Sequence, residues 1–339
     1  MIRIFSLLLI VALPLAAGEA AALAPHRGTV VQENRSFVGV WIISETLDNL
    51  VHTLDQRPDS PPTTLPRGRY VRVDYERPEH VEWLRGDNLA NEGKWAEAAA
   101  RFLAAAQRPD TWYTRESAWV RAAEAFVKAQ RADDALRALD ELLRAAPKTI
   151  FWSQALYLRG QALRAKGDNA GALRAYDELA KRPEIDIQAL AALGRAEVLG
   201  GDGKHEDAAK ALAAVFGKLD AERHPRAHAD VGFALAAAQR QANQRQEAIA
   251  TLRQLAFGAA DIAIRARAHL EWARLLAADD TSLVEAFDQA AIAMSLRGPP
   301  DISAAASQLA KQLSQRFDRL PDSQMSSDTK AEYRRYLTR

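Results

Sequence analysis

The sequence predicts a mainly α-helical solenoid, a right-handed superhelix of antiparallel helix pairs, preceded by a small β-rich domain. Three observations predict this class. A pattern that begins at Gly93 recurs downstream, the spacing of apolar residues becomes helical after Pro78, and alanine dominates the apolar fraction of the 339 residues. Small side chains at this density let neighbouring helices approach closely, as a stack of helix pairs requires.

Residues 1–24 are predicted to be a signal peptide for export. Arg3 supplies a positive charge, residues 4–17 are mostly apolar, and small residues follow. We expect cleavage near Gly18 or Ala20 and a periplasmic or extracellular location. The alternative is an uncleaved membrane anchor, but the apolar run is shorter than the ~20 residues that a membrane-spanning helix needs. The mature chain is therefore expected to contain no integral membrane segment.

Residues 25–77 are predicted to form the small β-rich domain. β-Branched and aromatic residues recur there in short runs, residues 57–67 are rich in proline, and Glu33 and Asn34 suit a turn. A few short strands cannot bury much apolar surface, so we expect this domain to lean on the first helices. The predicted strands cover residues 28–31, 37–43, 48–52 and 69–75.

Residues 78–298 are predicted to form five or six helical repeats. The pattern that begins at Gly93 has clear counterparts at Gln130 and Gly167, and weaker copies follow. The copies lie about 36–40 residues apart, a spacing that suits one helix pair in each repeat. Their central alanines are Ala98, Ala135, Ala172, Ala208, Ala248 and Ala286.

The helix before each alanine pattern carries the other half of the repeat. Leu156, Gly160 and Leu163 lie on one helical face, and we expect Gly160 to face Ala172 where the two helices cross. Together with the alanine pattern, this arrangement resembles the tetratricopeptide repeat family over residues 79–296. The resemblance implies a superhelix that binds proteins or peptides on its concave side.

The remaining segments are interpreted around this array. Residues 299–320 are expected to form a capping helix and residues 321–339 a C-terminal tail. The order of signal peptide, short β-rich segment and repeats also resembles exported bacterial tetratricopeptide repeat proteins, and this likeness implies no activity.

Composition argues against several classes of function. The formal net charge is only +1, so no field favours nucleic acid. Cysteine is absent, which excludes disulfides, thiolate catalysis and cysteine-bound zinc. No cofactor is expected.

Two motifs suggest ligand chemistry but lack what it needs. Residues 200–205 are rich in glycine, yet Val198 and His205 stand where a phosphate-binding loop requires glycine and serine or threonine. His224 and His228 could share a helix face, but no third metal ligand is evident. An inter-helix turn and an absence of metal are the preferred interpretations.

Other titratable residues are interpreted as ordinary surface or capping groups. His205 and His269 are expected to be solvated. The acidic pairs Asp133–Asp134 and Asp279–Asp280 are expected to cap second helices rather than to act as acid and base. Because no nucleophile motif or dinucleotide fingerprint is present either, we do not expect an enzyme.

The predicted function is that of an exported scaffold or adaptor that binds a partner protein or peptide. First helices line the concave side of such arrays, so exposed residues there are the candidates. The recurring aromatic residues among them suit a hot-spot role, although they could instead pack between first helices. The candidates are Trp83, Asp87, Glu124, Lys128, Tyr157, Gln161, Arg164, Phe233 and Arg240.

Two alternative functions stay open at this stage. In the first, residues 28–75 recognise a ligand and the repeats serve as a stalk. In the second, the chain is an accessory subunit of an envelope enzyme complex. Self-association into a homo-oligomer is compatible with each of these functions.

Overall fold

The computed structural model describes residues 23–32, 36–55, 60–321 and 325–336. The predicted signal peptide, apart from its last two residues, and the predicted turn at Glu33 and Asn34 lie outside the described residues. Within the described ranges, no helix is both long and apolar enough to span a membrane.

The N-terminal domain is one antiparallel sheet of five strands in the described part of the chain. Its strands lie side by side in the order β4-β3-β2-β1-β5. They are β1 (His26–Val31), β2 (Ser36–Glu45), β3 (Asn49–Thr53), β4 (Thr63–Pro66) and β5 (Arg72–Tyr75). The expectation of a small β-rich domain ahead of the helices is confirmed.

Two details of the sheet differ from the sequence prediction. Strand β4 lies in the stretch predicted as a proline-rich loop. Pro66 pairs with Asn49 at the edge of the sheet, a position where proline is tolerated. The last strand begins at Arg72 and not at residue 69, because residues 67–71 form a turn. In that turn the Tyr70 hydroxyl donates to the buried Glu45 carboxylate at 2.8 Å.

Fourteen α-helices follow among the described residues, twelve of them in six consecutive pairs. We call the two members of each pair the first and the second helix. The pairs are α1 (Val81–Asn91) with α2 (Trp95–Gln107), α3 (Trp112–Lys128) with α4 (Ala132–Ala145), α5 (Trp152–Ala165) with α6 (Asn169–Ala180), α7 (Ile185–Gly201) with α8 (His205–Phe216), α9 (Pro225–Gln241) with α10 (Arg245–Gly258), and α11 (Ile262–Leu276) with α12 (Leu283–Ser295). The predicted mainly α, repetitive fold class is confirmed.

The turn inside each of the first five pairs contains one residue with a left-handed backbone. These residues are Gly93, Gln130, Gly167, Gly203 and Asn243, with φ between 58° and 81°. Glycine adopts this conformation without strain, which explains its use in three of the five turns. The glycine-rich residues 200–203 are therefore a helix C-terminus and a turn, as expected, and they follow no strand.

Glycine on a first helix makes room for an aromatic ring on a second helix, both inside a pair and between neighbouring pairs. A Cβ atom on Gly160 would lie 2.4 Å from the Tyr176 ring, and one on Gly194 would lie 2.3 Å from the same ring. The expectation that Gly160 faces Ala172 is therefore wrong: Tyr176 fills the crossing. The ring is fully buried and joins α5, α6 and α7.

The sheet packs on the start of the helical array. Its buried Val30, Ile42 and Leu50 contact Trp112 at the first turn of α3. The Trp112 indole Nε1 donates to the Ile42 carbonyl oxygen at 2.9 Å. Thr46 also forms a β-bridge with Thr149, just before α5. The domain leans on the first helices, as expected from its small size.

The C-terminal end contains two further helices, α13 (Pro300–Phe317) and α14 (Ser327–Tyr336). Helix α13 packs against α11 and α12 in the place of the predicted capping helix. The interpretation of residues 321–339 as a tail is wrong for α14. The Tyr333 ring lies 4.8 Å from that of Phe287 and 4.9 Å from that of Phe317, so one aromatic residue anchors an otherwise polar helix.

Candidate partner-binding face

The first helices contact one another along the stack. Contacts join α1 to α3, α3 to α5, α5 to α7, α7 to α9, α9 to α11 and α11 to α13, whereas contacts between neighbouring second helices are sparser. An array whose first helices are closer together than its second helices curves toward the first helices. We call this side the first-helix face, and define it by Asp87, Arg121, Glu124, Lys128, Tyr157, Gln161, Arg164, Glu197, Phe233, Arg240, Arg267 and Glu271.

At the N-terminal end of the face, charged side chains neutralise one another. Arg77 and Arg121 both pair with Asp87, the latter at 2.7 Å. Arg121 also pairs with Glu124 at 3.1 Å, and Glu124 pairs with Lys128 at 3.0 Å. Three predicted site residues, Asp87, Glu124 and Lys128, thus form one continuous network with two arginines, which leaves few charges available to a partner.

Trp83 was predicted to be a binding residue, and this is wrong. Its side chain is buried, its ring packs edge-on against Phe102, and its Nε1 donates to the Ser117 hydroxyl at 3.2 Å. The competing interpretation, packing between first helices, holds in part: Ser117 lies on first helix α3, but Phe102 lies on second helix α2.

In the middle of the face, Tyr157, Gln161 and Arg164 lie together on α5 and are at least partly exposed. The Arg164 guanidinium pairs with Glu197 on α7 at 3.0 Å, and the Tyr157 hydroxyl donates to the same carboxylate at 3.5 Å. Burial, together with the nearby Glu197 charge, raises the pKa of Tyr157 to about 12. Tyr157 is therefore a neutral hydrogen-bond donor at physiological pH.

At the C-terminal end of the face, Phe233 and Arg240 line one cleft between α9 and α11. The cleft has a volume of 160 Å³. Leu252 and Leu275 form its buried apolar floor, and Arg267 projects from α11. The Arg267 guanidinium lies 4.0 Å from the centre of the Phe233 ring.

Sequence reasoning missed Arg121, Glu197 and Arg267, the partners of predicted residues. Each lies about one repeat downstream of its partner: Asp87 and Arg121 are 34 residues apart, and Arg164 and Glu197 are 33 apart. A search for complementary side chains at the repeat period would have found them.

The histidines that the sequence singled out are not brought together into a metal site. Among the described residues, no cluster of three or more potential ligands could hold a metal ion. His224 pairs with Asp186 at 2.9 Å, while His228 is buried and stacks on Phe216. His269 was expected to be solvated, and this is wrong. Its side chain is 2% exposed, its Nδ1 lies 2.7 Å from the Gln289 amide oxygen, and burial lowers its pKa.

The two acidic pairs behave differently. Asp279 accepts a hydrogen bond from the Thr281 backbone N–H and so caps the short 3-10 helix Asp280–Ser282 that precedes α12, but not α12 itself. Asp133 and Asp134 lie in the first turn of α4 but do not cap it; they pair with Lys166 and with arginines of their own helix. Capping fails there because these carboxylates lie after the N-cap position and turn outward to the cations.

Comparison with known proteins identifies the repeat type. A tetratricopeptide repeat family model matches residues 117–149 and 154–184, which cover the pairs α3–α4 and α5–α6. These are the two repeats with the most regular sequence pattern. No curated protein sequence matches the chain.

Several solved structures are similar. A tetratricopeptide repeat protein from Parabacteroides merdae is 16% identical, with 67% of this chain and 82% of that chain covered and a TM-score of 0.44. The apo form of RapI is 10% identical, with 76% and 97% covered and a TM-score of 0.45. A Rap protein complexed with Competence and Sporulation Factor is 16% identical, with 76% and 73% covered and a TM-score of 0.43.

Six successive helix pairs have the same architecture, and two of them match the family model. The chain therefore contains tetratricopeptide repeats, and a small antiparallel sheet lies ahead of its helix pairs.

Proposed function

We propose that the chain is an exported, non-enzymatic scaffold that binds a partner protein or peptide on its first-helix face. The observation that carries this proposal is the proximity of the first helices, which gathers partly exposed side chains from α1 to α11 on one side. Helical repeats use such extended surfaces to bind other chains.

The proposal can be tested by filling the cleft between α9 and α11 with a large side chain that leaves the charge of the cleft unchanged. Ala237 is exposed and lines the cleft between α9 and α11, so Ala237→Trp should fill the groove. Ala214 is exposed on second helix α8, so Ala214→Trp is a matched control. Affinity capture should recover a reproducible partner with the native chain and the control, and lose it with Ala237→Trp.

Equal recovery by both variants would contradict binding on this face, provided that both retain the native melting temperature. Recovery of no partner by the native chain, under several extraction conditions, would contradict the scaffold function itself.

Export is part of the same proposal. Leu23 packs with the core of the sheet, so a mature chain that keeps Leu23 keeps this contact. We expect N-terminal sequencing of envelope-fraction protein to begin at Glu19 or Ala21. An intact Met1 start on a cytoplasmic form would contradict export.

The alternative in which the sheet binds the ligand and the repeats are a stalk is best tested by point changes. Deleting the sheet would expose Trp112, which packs against it, so a deletion would confuse lost binding with lost folding. Trp41→Ala avoids this problem, since Trp41 alternates with the buried Ile42 and so points to the opposite side of β2.

A further inference from the structure

Two clefts flank α9, one between α7 and α9 and the other between α9 and α11 on the first-helix face. We infer that they bind an internal peptide segment carrying one large apolar residue and, four or five residues away, an acidic residue. This inference rests on the proposed function and names the chemistry of the partner. It is carried by the charges of one cleft, the apolar walls of the other, and the distance between them.

The cleft between α9 and α11 presents two unneutralised cations. Arg240 and Arg267 are exposed, and neither has a carboxylate partner in the part of the chain that the structure describes. Glu271 also lines this cleft, but it is already paired with Arg274 at 2.6 Å. The cleft therefore keeps an unbalanced positive charge above an apolar floor.

This arrangement differs from that of other arginines on the same face. Arg121 and Arg164 each pair with a carboxylate about one repeat away. At the corresponding distance, Arg267 faces Phe233, whose ring can hold the guanidinium in place but cannot balance its charge. A carboxylate from another chain is the group that a guanidinium recognises best, because two N–H donors match two oxygens.

The cleft between α7 and α9 has the opposite character. Its volume is 390 Å³, and Leu190, Leu193 and Ala227 form half-buried apolar walls. Two charge pairs lie at its rim, His224 with Asp186 at 2.9 Å and Arg226 3.8 Å from Asp230, while Arg223 at the same rim has no carboxylate partner among the described residues. An apolar side chain is the ligand group that such walls favour.

The spacing of the two clefts sets the peptide pattern. Ala227 lines the first cleft and Ala237 the second, and the helical rise places them about 15 Å apart along α9. An extended chain covers this distance in about four or five residues. Because the clefts lie on opposite sides of α9, the peptide must cross the helix between its apolar residue and its acidic side chain.

Selection from random peptides tests the pattern with a defined probe. A library of displayed peptides, fused at both ends to the carrier, is selected on the full mature chain. A second library presents a free C-terminus. We expect the first library to enrich peptides with Asp or Glu four or five residues from Leu, Ile, Met or Phe.

Enrichment confined to the library with a free C-terminus would overturn the inference, and so would enrichment without acidic residues. If neither library yields a binder that Ala237→Trp abolishes, the proposed binding face itself is contradicted. Failure of the inference and failure of the proposed function are thereby distinguished.

Matched variants then assign the charge pair. Fluorescence anisotropy is measured for a selected peptide and its Glu→Gln or Asp→Asn analogue, with Arg240→Gln, Arg267→Gln and the control Arg174→Gln. We expect about tenfold weaker binding for each cleft variant and for the amide analogue, with no change in the control. When a cleft variant is combined with the amide analogue of the peptide, the loss of affinity should be smaller than the product of the two separate losses, because the arginine and the carboxylate interact with each other.

If the separate losses of affinity simply multiply, or if both cleft variants bind the peptide as tightly as the native chain, the pairing of these arginines with the peptide carboxylate would be overturned. Both arginines are exposed, so the melting temperature should stay near the native value.

Discussion

The two ends of the first-helix face contain similar charged residues, but these residues are paired with one another only at the N-terminal end. At the N-terminal end, Asp87 lies between Arg77 and Arg121, and Glu124 lies between Arg121 and Lys128. At the C-terminal end, Arg240 and Arg267 line a cleft, and neither is paired with a carboxylate among the described residues.

The difference shows that an exposed charge is not by itself a binding residue. Whether a charged side chain is available to a partner depends on whether an opposite charge about one repeat away already pairs with it. The N-terminal network stabilises the stacking of α1 on α3, whereas the charge of the C-terminal cleft is unbalanced. The two ends should therefore respond in opposite ways to substitution.

The largest contrast in stability concerns the aromatic residues. Tyr176 is fully buried against Gly160 and Gly194, so Tyr176→Ala should lower the free energy of unfolding by about 3–5 kcal/mol. Phe233 is only half-buried at the cleft, and Phe233→Ala should cost about 1 kcal/mol or less. Urea denaturation checks both, and equal losses would contradict the distinction.

A smaller contrast concerns the charges. Asp87→Ala leaves Arg77 and Arg121 without their shared carboxylate and should lower the free energy of unfolding by about 1 kcal/mol. Arg240→Ala should change it by less than about 0.5 kcal/mol, because no internal pair is lost. Thermal melts at low salt measure both; a larger loss for Arg240→Ala would reverse the assignment of the two ends.

The left-handed turns provide a backbone comparison between the same ends. Gln130 has a φ of 58° and Asn243 a φ of 59°. Glycine relieves this strain, and asparagine tolerates it better than glutamine does. Gln130→Gly should raise the free energy of unfolding by about 0.5–1 kcal/mol, and Asn243→Gly by less. Destabilisation by Gln130→Gly in urea melts would show that the side chain matters more than the backbone.

The smallest effect is a pH dependence in the C-terminal half. Burial lowers the pKa values of His228 and His269 below the ordinary 6.5. Between pH 6.5 and these lowered values the unfolded chain binds more protons than the folded chain, so the free energy of unfolding falls as the pH falls. Urea melts from pH 7.5 to 5 should show this loss, and a smaller one for His269→Gln. If the free energy of unfolding of His269→Gln depends on pH as steeply as that of the native chain, His269 does not contribute to the pH dependence.

The repeat pattern allowed the fold class to be predicted, because small residues at a fixed period report directly on helix crossing. Strand β4 and helix α14 escaped prediction for a different reason. Each depends on tertiary contact: β4 on its pairing with β3, and α14 on the packing of Tyr333 against two phenylalanine rings.

The candidate site was predictable only in part. Helical spacing correctly indicated the exposed positions on α5, and it brought Phe233 and Arg240 onto one face. It could not show that Trp83 is buried under the next repeat, or that Arg121 neutralises Asp87. Both facts depend on the residue about one repeat downstream, which lies outside any local window.

A map of partner contacts tests the central claim most directly. An aromatic photo-crosslinking amino acid is placed on the first-helix face at Lys128, Gln161 and Phe233, where it replaces a ring of similar size, and on second helix α6 at Arg174. We expect crosslinks to one partner from the face, strongest from Phe233, and none from Arg174. Crosslinking from Arg174 that equals or exceeds that from the three face positions would contradict it.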